Sequence, residues 1–137
     1  MRGRAATTSL ALASTLAVLA GCSTDGGSAP GPAAIVVTFE VNDGERFRVL
    51  LTDPADQAIA NSLLTGAEGP DIPNGRIIRE TGVNVGWSWS LDPADFEFAE
   101  LTTEVCDGLP SDVESGDLTG DRYCPWSARV VEIEPAA

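Results

Sequence analysis

IVVTFEVNDGERFRVLL, residues 35–51, is the stretch that decides the fold. Apolar residues take every second position on both sides of Asp43-Gly44, which is the period of a half-buried strand. Asp-Gly between two such runs is a two-residue turn signal that favours a tight β-hairpin. Arg46 and Arg48 are predicted to face outward. The predicted inward face consists of Ile35, Val37, Phe39, Val41, Phe47, Val49 and Leu51.

One amphipathic helix is predicted directly after the hairpin, over residues 54–64. Asp53 can cap its N-terminus, and Pro54 suits the first helical position. Apolar side chains recur at helical spacing from Ala55 to Leu64, which predicts one buried stripe. Gly66 stands where a C-terminal cap belongs.

The rest of the chain is predicted to add short strands. Residues 83–91, VNVGWSWSL, alternate most regularly, with Trp87 and Trp89 on an apolar face and Asn84 and Ser90 on a flat polar face. Strands are also predicted over 76–80, over 102–106, and over 129–134 with Val131 and Ile133 inward, whereas 107–122 is a predicted loop. Five or six strands with one helix predict an α+β domain, a small antiparallel sheet with the helix packed on its apolar face.

Residues 1–33 are predicted to lie outside this domain. Residues 1–21 combine a basic start with an apolar run, which is typical of a secretory signal. The run is too short for a bilayer span of about 20 residues. Leu19-Ala-Gly-Cys22 resembles the lipobox of bacterial lipoproteins, which implies a lipid-modified Cys22 with more than one acyl chain, enough for stable anchoring. We therefore expect a signal peptide (1–21), a lipidated Cys with a flexible linker (22–33) and one domain (34–137) at the cell membrane, facing the extracytoplasmic side.

The charge balance limits the classes of partner. Without residues 1–21, six Arg face 21 Asp and Glu, a net charge of −15. Such a surface repels nucleic acid and anionic lipid, so no nucleic-acid partner is expected, and membrane contact is expected through the lipid alone. The chain has no His and no Lys, which removes the usual general base and the common catalytic triads. No cofactor is expected.

Cys106 and Cys124 form an even pair in an exported chain. Export leads to an oxidising compartment, so a disulfide between them is predicted, with two free buried thiols as the alternative. A zinc site is disfavoured because two thiolates supply only half of its ligands. Carboxylates in the intervening loop suggest calcium, but their spacing does not fit an EF-hand. These carboxylates are Asp107, Asp112, Glu114, Asp117 and Asp121.

Three separated motifs carry a family resemblance. They are Gly86-Trp-Ser-Trp-Ser-Leu-Asp-Pro93, Thr103-Glu-Val-Cys-Asp-Gly-Leu-Pro-Ser-Asp-Val-Glu114 and Tyr123-Cys-Pro-Trp-Ser-Ala-Arg-Val130. Together they resemble the N-terminal domain named after a slime-mould calmodulin-binding protein, a domain that also occurs alone in small secreted bacterial proteins. The resemblance spans residues 34–134 and implies a shared fold and a Cys106–Cys124 bridge beside Trp126.

The resemblance implies no enzymatic activity. The family often has a His where this chain has Ser90, so no role that needs an imidazole is carried over. Calmodulin binding is not expected, because calmodulin is acidic and grips basic amphipathic helices. This chain is itself acidic, and its predicted helix contains no basic residue.

A binding domain for a protein, peptide or carbohydrate partner is the favoured hypothesis for function. Its candidate binding residues are Trp87, Trp89, Trp126, Asp92 and Asp107, and the alternative is that the tryptophans are core. A small hydrolase is the second hypothesis, with Glu100 and Glu104, or Asp92 and Glu104, as its carboxylate pair. Because Asp92 is better explained as a turn cap before Pro93, no catalytic residue is assigned. A calcium-binding envelope protein is the third hypothesis.

Overall fold

A computed structural model describes residues 31–42 and 44–137 of the chain. The predicted signal peptide, Cys22 and Asp43 lie outside the described residues. Within the described ranges, no helix combines the length and the apolar character that a membrane span requires. In chain order the elements are β1 (Ile35–Val41), β2 (Glu45–Leu51), α1 (Pro54–Leu64), β3 (Ile72–Ile78), β4 (Ser90–Leu91), β5 (Glu97–Ala99), a 3₁₀ turn (Glu104–Cys106), α2 (Pro110–Ser115), β6 (Arg122–Tyr123) and β7 (Arg129–Pro135).

The first sheet contains the predicted hairpin and has the order β2-β1-β7. Ile35 pairs with Leu51 and Val41 pairs with Glu45, so the hairpin is confirmed, with residues 42–44 between its paired ends. β7 runs antiparallel along the other side of β1, and the Ala136 amide donates to the Ala34 carbonyl at 3.0 Å. The two ends of the domain therefore lie side by side.

A register shift between β1 and β7 changes one predicted face. The shift falls between Thr38 and Phe39 and lets Val130 and Ile133 pack against the core. Ile133 is inward as predicted, whereas Val130 takes the core position expected of Val131. A bulge of this kind places two residues opposite one and so breaks the alternation of period two.

The remaining strands form a second sheet, so the prediction of a single sheet of five or six strands was wrong. This second sheet has four strands, centred on β3. β3 pairs with β5 through residues 72–74, with β6 through 75–76 and with β4 through 77–78. The partners are short because Pro93 closely follows β4 and Pro125 closely follows β6, and proline cannot donate to a strand ladder.

Most of the predicted 83–91 strand is a chain of turns that covers the edge of β2. Only Ser90 and Leu91 pair as a strand. Gly86 has φ +102°, a left-handed conformation that interrupts an extended chain. The fully buried Asn84 accepts from the Arg48 amide at 2.8 Å and donates to the Trp89 carbonyl at 2.9 Å. One side chain thus replaces a neighbouring strand, and no flat polar face forms.

Two further strand predictions also changed. The strand predicted over 102–106 is the 3₁₀ turn, closed by bonds from the Cys106 amide to Thr103 and from the Asp107 amide to Glu104. The predicted 107–122 loop contains α2, which begins at Pro110 and whose Asp112 accepts from the Leu109 amide at 2.8 Å. The 76–80 strand begins earlier, at Ile72, and ends at Ile78.

Helix α1 has the predicted bounds and caps. Asp53 accepts from the Ala55 amide at 2.7 Å, and Pro54 occupies the first turn. At the other end Gly66 has φ +86° and donates to the Leu63 carbonyl, while the Ala67 amide donates to Ser62, both at 3.0–3.1 Å. Those two bonds are a Schellman ending, which satisfies carbonyls that the helix leaves free.

The core lies between the inward face of the first sheet, α1 and the second sheet. β1 and β2 supply the predicted valines and phenylalanines, and Phe39 stacks on Phe47 with ring centroids 5.1 Å apart. Trp89 and Tyr123 close the core from the second half of the chain. Its buried apolar members are Val37, Phe39, Val41, Phe47, Val49, Leu51, Ala60, Trp89, Leu91, Phe96, Phe98, Val113, Leu118 and Tyr123.

The outward face of the first sheet carries ion pairs across its strands. Glu40 is buried between Arg46 of β2, at 2.7 Å, and Arg129 of β7. Arg48 pairs in the same way with Glu134. Hydrogen bonds from Arg129 and Arg46 hold the pKa of Glu40 below its ordinary value.

Replacing Asn84 by Ala should cost about 2–4 kcal/mol of unfolding free energy, because the Arg48 amide and the Trp89 carbonyl both lose a buried partner. Urea unfolding of the purified protein measures this. Asn61, exposed on α1, gives the matched control, and N61A should change stability by less than about 0.5 kcal/mol. Equal effects of the two substitutions would contradict the role assigned to Asn84.

Glu40→Gln should destabilise the protein in a pH-dependent way. A carboxylate with a lowered folded-state pKa contributes stability above its unfolded pKa of about 4.3. That contribution is lost as the pH falls through the folded-state value. The gap in melting temperature between the parent chain and E40Q should therefore be widest at pH 6 and narrow towards pH 3. A gap that stays constant over this range would contradict the pairing.

Candidate functional site

The Cys106–Cys124 disulfide joins the 3₁₀ turn to the segment after β6, and the predicted pairing is confirmed. The two Cα atoms lie 5.1 Å apart, and both cysteines are buried. A backbone bond from the Cys124 amide to the Cys106 carbonyl, 2.8 Å long, runs beside the bridge. The two segments are therefore held together by both covalent and hydrogen bonds.

Trp126 lies beside this bridge and is 44% exposed. Its indole Nε1 donates to Thr102 Oγ1 at 2.6 Å, and its backbone amide donates to Asp107 Oδ1 at 2.9 Å. The structure thus brings together two of the residues predicted for binding, Trp126 and Asp107. An exposed indole ring that is held by two hydrogen bonds can contact a partner at little conformational cost.

Two further apolar side chains on the same segment are largely exposed. Leu101 is 89% and Val105 is 78% exposed. Leu101 precedes Thr102, the hydrogen-bond partner of Trp126, and Val105 precedes Cys106. We call Leu101, Val105 and Trp126 the disulfide surface. Sequence reasoning missed its two aliphatic members, although Val105 beside a cysteine that must point inward was a usable signal.

A cleft of about 370 Å³ opens next to the disulfide surface. Val105 forms part of its wall, so the cleft and the surface are continuous. Three carboxylates line it together with two neutral residues of the loop before β6. We call it the acidic cleft, lined by Val105, Asp107, Asp112, Asp117, Leu118 and Thr119.

Helix α2 fixes this region at the hairpin end of the first sheet. Ser111 donates from its amide and its hydroxyl to the two carboxylate oxygens of Glu45, at 2.7 Å each. Glu45 is the first residue of β2, directly after the hairpin connection. Tyr123 donates to the Gly108 carbonyl at 3.0 Å, and its burial, with the nearby charge of Glu45, raises the pKa of its phenol. The cleft therefore has a rigid base.

Trp87 and Trp89 belong to the interior of the domain. Trp89 is fully buried, with its ring 5.4 Å from that of Tyr123 and 6.0 Å from that of Phe47. Trp87 is half-buried and donates from its indole nitrogen to the Arg46 carbonyl at 2.8 Å. Within the described residues the Trp89 indole nitrogen has no hydrogen-bond partner. Both rings thus serve the packing beneath β2.

Asp92 caps the turn at Pro93, as its alternative interpretation predicted. It accepts from the Ala94 amide at 2.9 Å and pairs with Arg76. The Arg76 guanidinium holds the pKa of Asp92 below its ordinary value, which is the wrong direction for a general acid. Glu100 and Glu104 are exposed to solvent. Neither carboxylate pair considered for a hydrolase therefore has the geometry of a buried acid.

The loop carboxylates mainly serve the fold. Glu114 accepts from the Ser88 amide and hydroxyl at 3.0 Å, which ties α2 to the turns over β2. Across residues 31–42 and 44–137, no three Asp, Glu or Cys side chains are arranged to hold a metal ion. The calcium hypothesis thus finds no ligand set in this part of the chain.

Comparison with known families agrees with the three sequence motifs. The family model for the N-terminal domain named after the slime-mould calmodulin-binding protein matches residues 33–137, which include every element of the structure. No curated protein and no solved structure gave a significant match. The matched region covers more than half of the chain, and the chain therefore belongs to this N-terminal domain family.

Proposed function

We propose that this chain is a lipid-anchored extracytoplasmic binding domain that contacts a protein partner through the disulfide surface. The observation that carries the proposal is the exposure of Leu101, Val105 and Trp126 on segments joined by one disulfide. Soluble domains rarely group large exposed apolar side chains without a partner to cover them. The lipid anchor is supported by the sequence Leu19-Ala-Gly-Cys22, outside the described residues.

The position of this surface suits display from a membrane. The chain enters β1 at Ala34, whereas α2 is bonded to Glu45 at the opposite end of the same sheet. A seven-residue strand separates these ends by about 20 Å, at about 3.3 Å per residue. A tether that reaches β1 from the membrane would leave the disulfide surface on the far side of the domain.

The lipid anchor is tested by replacing Cys22. In a bacterial host fed an alkyne-bearing fatty acid, the parent chain should incorporate the label, and Cys22→Ser should lose essentially all of it because no thiol remains to be acylated. The double variant C106S/C124S is the control and should keep the label, since its cysteines lie in the folded domain. Equal labelling of C22S and the parent chain would exclude the anchor.

The binding surface is tested by photo-crosslinking in intact cells. A benzophenone amino acid placed at position 105 should give a protein adduct on irradiation, because the Val105 side chain is 78% exposed on the disulfide surface. Val85 is the matched control, with 72% exposure on the turns over β2, and position 85 should give no such adduct. Replacing Leu101 by Ser in the chain labelled at 105 should remove most of the adduct. Equal adducts from both positions would contradict the proposal.

A further inference from the structure

We infer that the disulfide surface takes a cationic, partly apolar segment of a protein partner, with an Arg or Lys side chain of that segment in the acidic cleft. This inference rests on the proposed function and adds the chemistry of the partner. It is carried by an exposed apolar surface and by the charge of the cleft that continues it.

The apolar and the acidic parts form one surface. Val105 belongs to the disulfide surface and also lines the acidic cleft, and the Trp126 amide is bonded to Asp107 in that cleft. Arg and Lys side chains join an apolar stem to a charged head. Such a stem can pack on Val105 and Leu118 while its head reaches the carboxylates. The exposed Trp126 ring can also take a cation on its face.

The carboxylates of the cleft are already oriented by the fold. In each, the bonds to neighbouring groups use one oxygen: Asp107 Oδ1 accepts from the Gly108 and Trp126 amides, Asp112 Oδ2 from the Leu109 amide and Asp117 Oδ2 from Ser115. An ionised carboxylate offers about four acceptor sites over its two oxygens. Acceptor capacity therefore remains for a guanidinium or ammonium group, without the entropic cost of ordering the side chains.

The arginines of the chain pair with other carboxylates. The ion pairs of the described residues involve Glu40, Glu134, Asp92 and Asp95, and none of these four lines the cleft. Arg79 donates instead to the Val113 carbonyl at 2.9 Å. These pairs leave the cleft charge uncompensated, in a chain of net charge −13. Such a field attracts cationic partners and repels phosphates and acidic peptides.

The test uses the full chain purified in detergent and a library of random twelve-residue peptides displayed on phage. Selected peptides should be enriched in Arg or Lys next to apolar residues, and synthetic copies should bind with a Kd that citrulline in place of Arg weakens at least tenfold. Asp107→Asn and Asp112→Asn, which remove charge but keep an acceptor oxygen, should each weaken binding about fivefold. Glu68→Gln, on the exposed loop after α1, is the matched control and should leave the Kd unchanged.

The outcomes separate this inference from the proposed function. If Val105→Ser weakens peptide binding but the Asn variants and citrulline do not, the cationic inference is overturned and the proposed function stands. If Val105→Ser and Val85→Ser bind the selected peptides as tightly as the parent chain, both are overturned. A rise in melting temperature with millimolar calcium that D107N abolishes would also overturn the inference, because the cleft would then be a cation site. Near-UV circular dichroism of each variant confirms its fold.

Discussion

The pairing of β1 with a strand on each side is the constraint on which the structure depends. β1 runs between β2 and β7, and its inward residues form the centre of the core. Its outward Glu40 is held between Arg46 and Arg129, so the same register that aligns the core also aligns the charges. A slip of one residue would exchange the two faces. The register of β1 therefore specifies the apolar and the ionic layers together.

The second half of the chain is organised by side chains and covalent bonds more than by strands. Asn84 and Trp87 occupy the edge of β2 through hydrogen bonds to its backbone, where a further strand would otherwise pair. Sheet edges that are covered in this way do not pair with other chains. The disulfide then fixes the turn that carries Val105. Rigidity at the candidate site thus comes from local bonds on a region with little regular structure.

The predictability of each element follows from the range of the interactions that determine it. The hairpin and α1 were predicted because alternation, a turn signal and helix caps are local properties of the sequence. The 83–91 segment was mispredicted because its alternation is real, yet Asn84 finds buried partners 36 and five residues away and Gly86 turns the chain. The β7 bulge likewise arises from pairing with β1, which local alternation does not encode.

The candidate site was predicted only in part, for the same reason. Trp126, Asp107 and the disulfide could be named from motifs and from the cysteine count. Leu101 and Val105 could not, because an aliphatic residue in an apparent strand is expected to be buried, and only the 3₁₀ turn places Val105 outside. Trp87 and Trp89 drew attention as large aromatic residues, but their size also makes them favourable in a core.

The hydrogen bond between Ala34 and Ala136 has a consequence for how this domain can be combined with others. Because the chain arrives and departs at neighbouring positions, the domain can be inserted into a longer polypeptide as a side branch without separating the segments that flank it. A module joined after residue 137 would begin next to the linker that precedes β1. The hairpin end of the sheet would still face outward, whatever the domain is joined to.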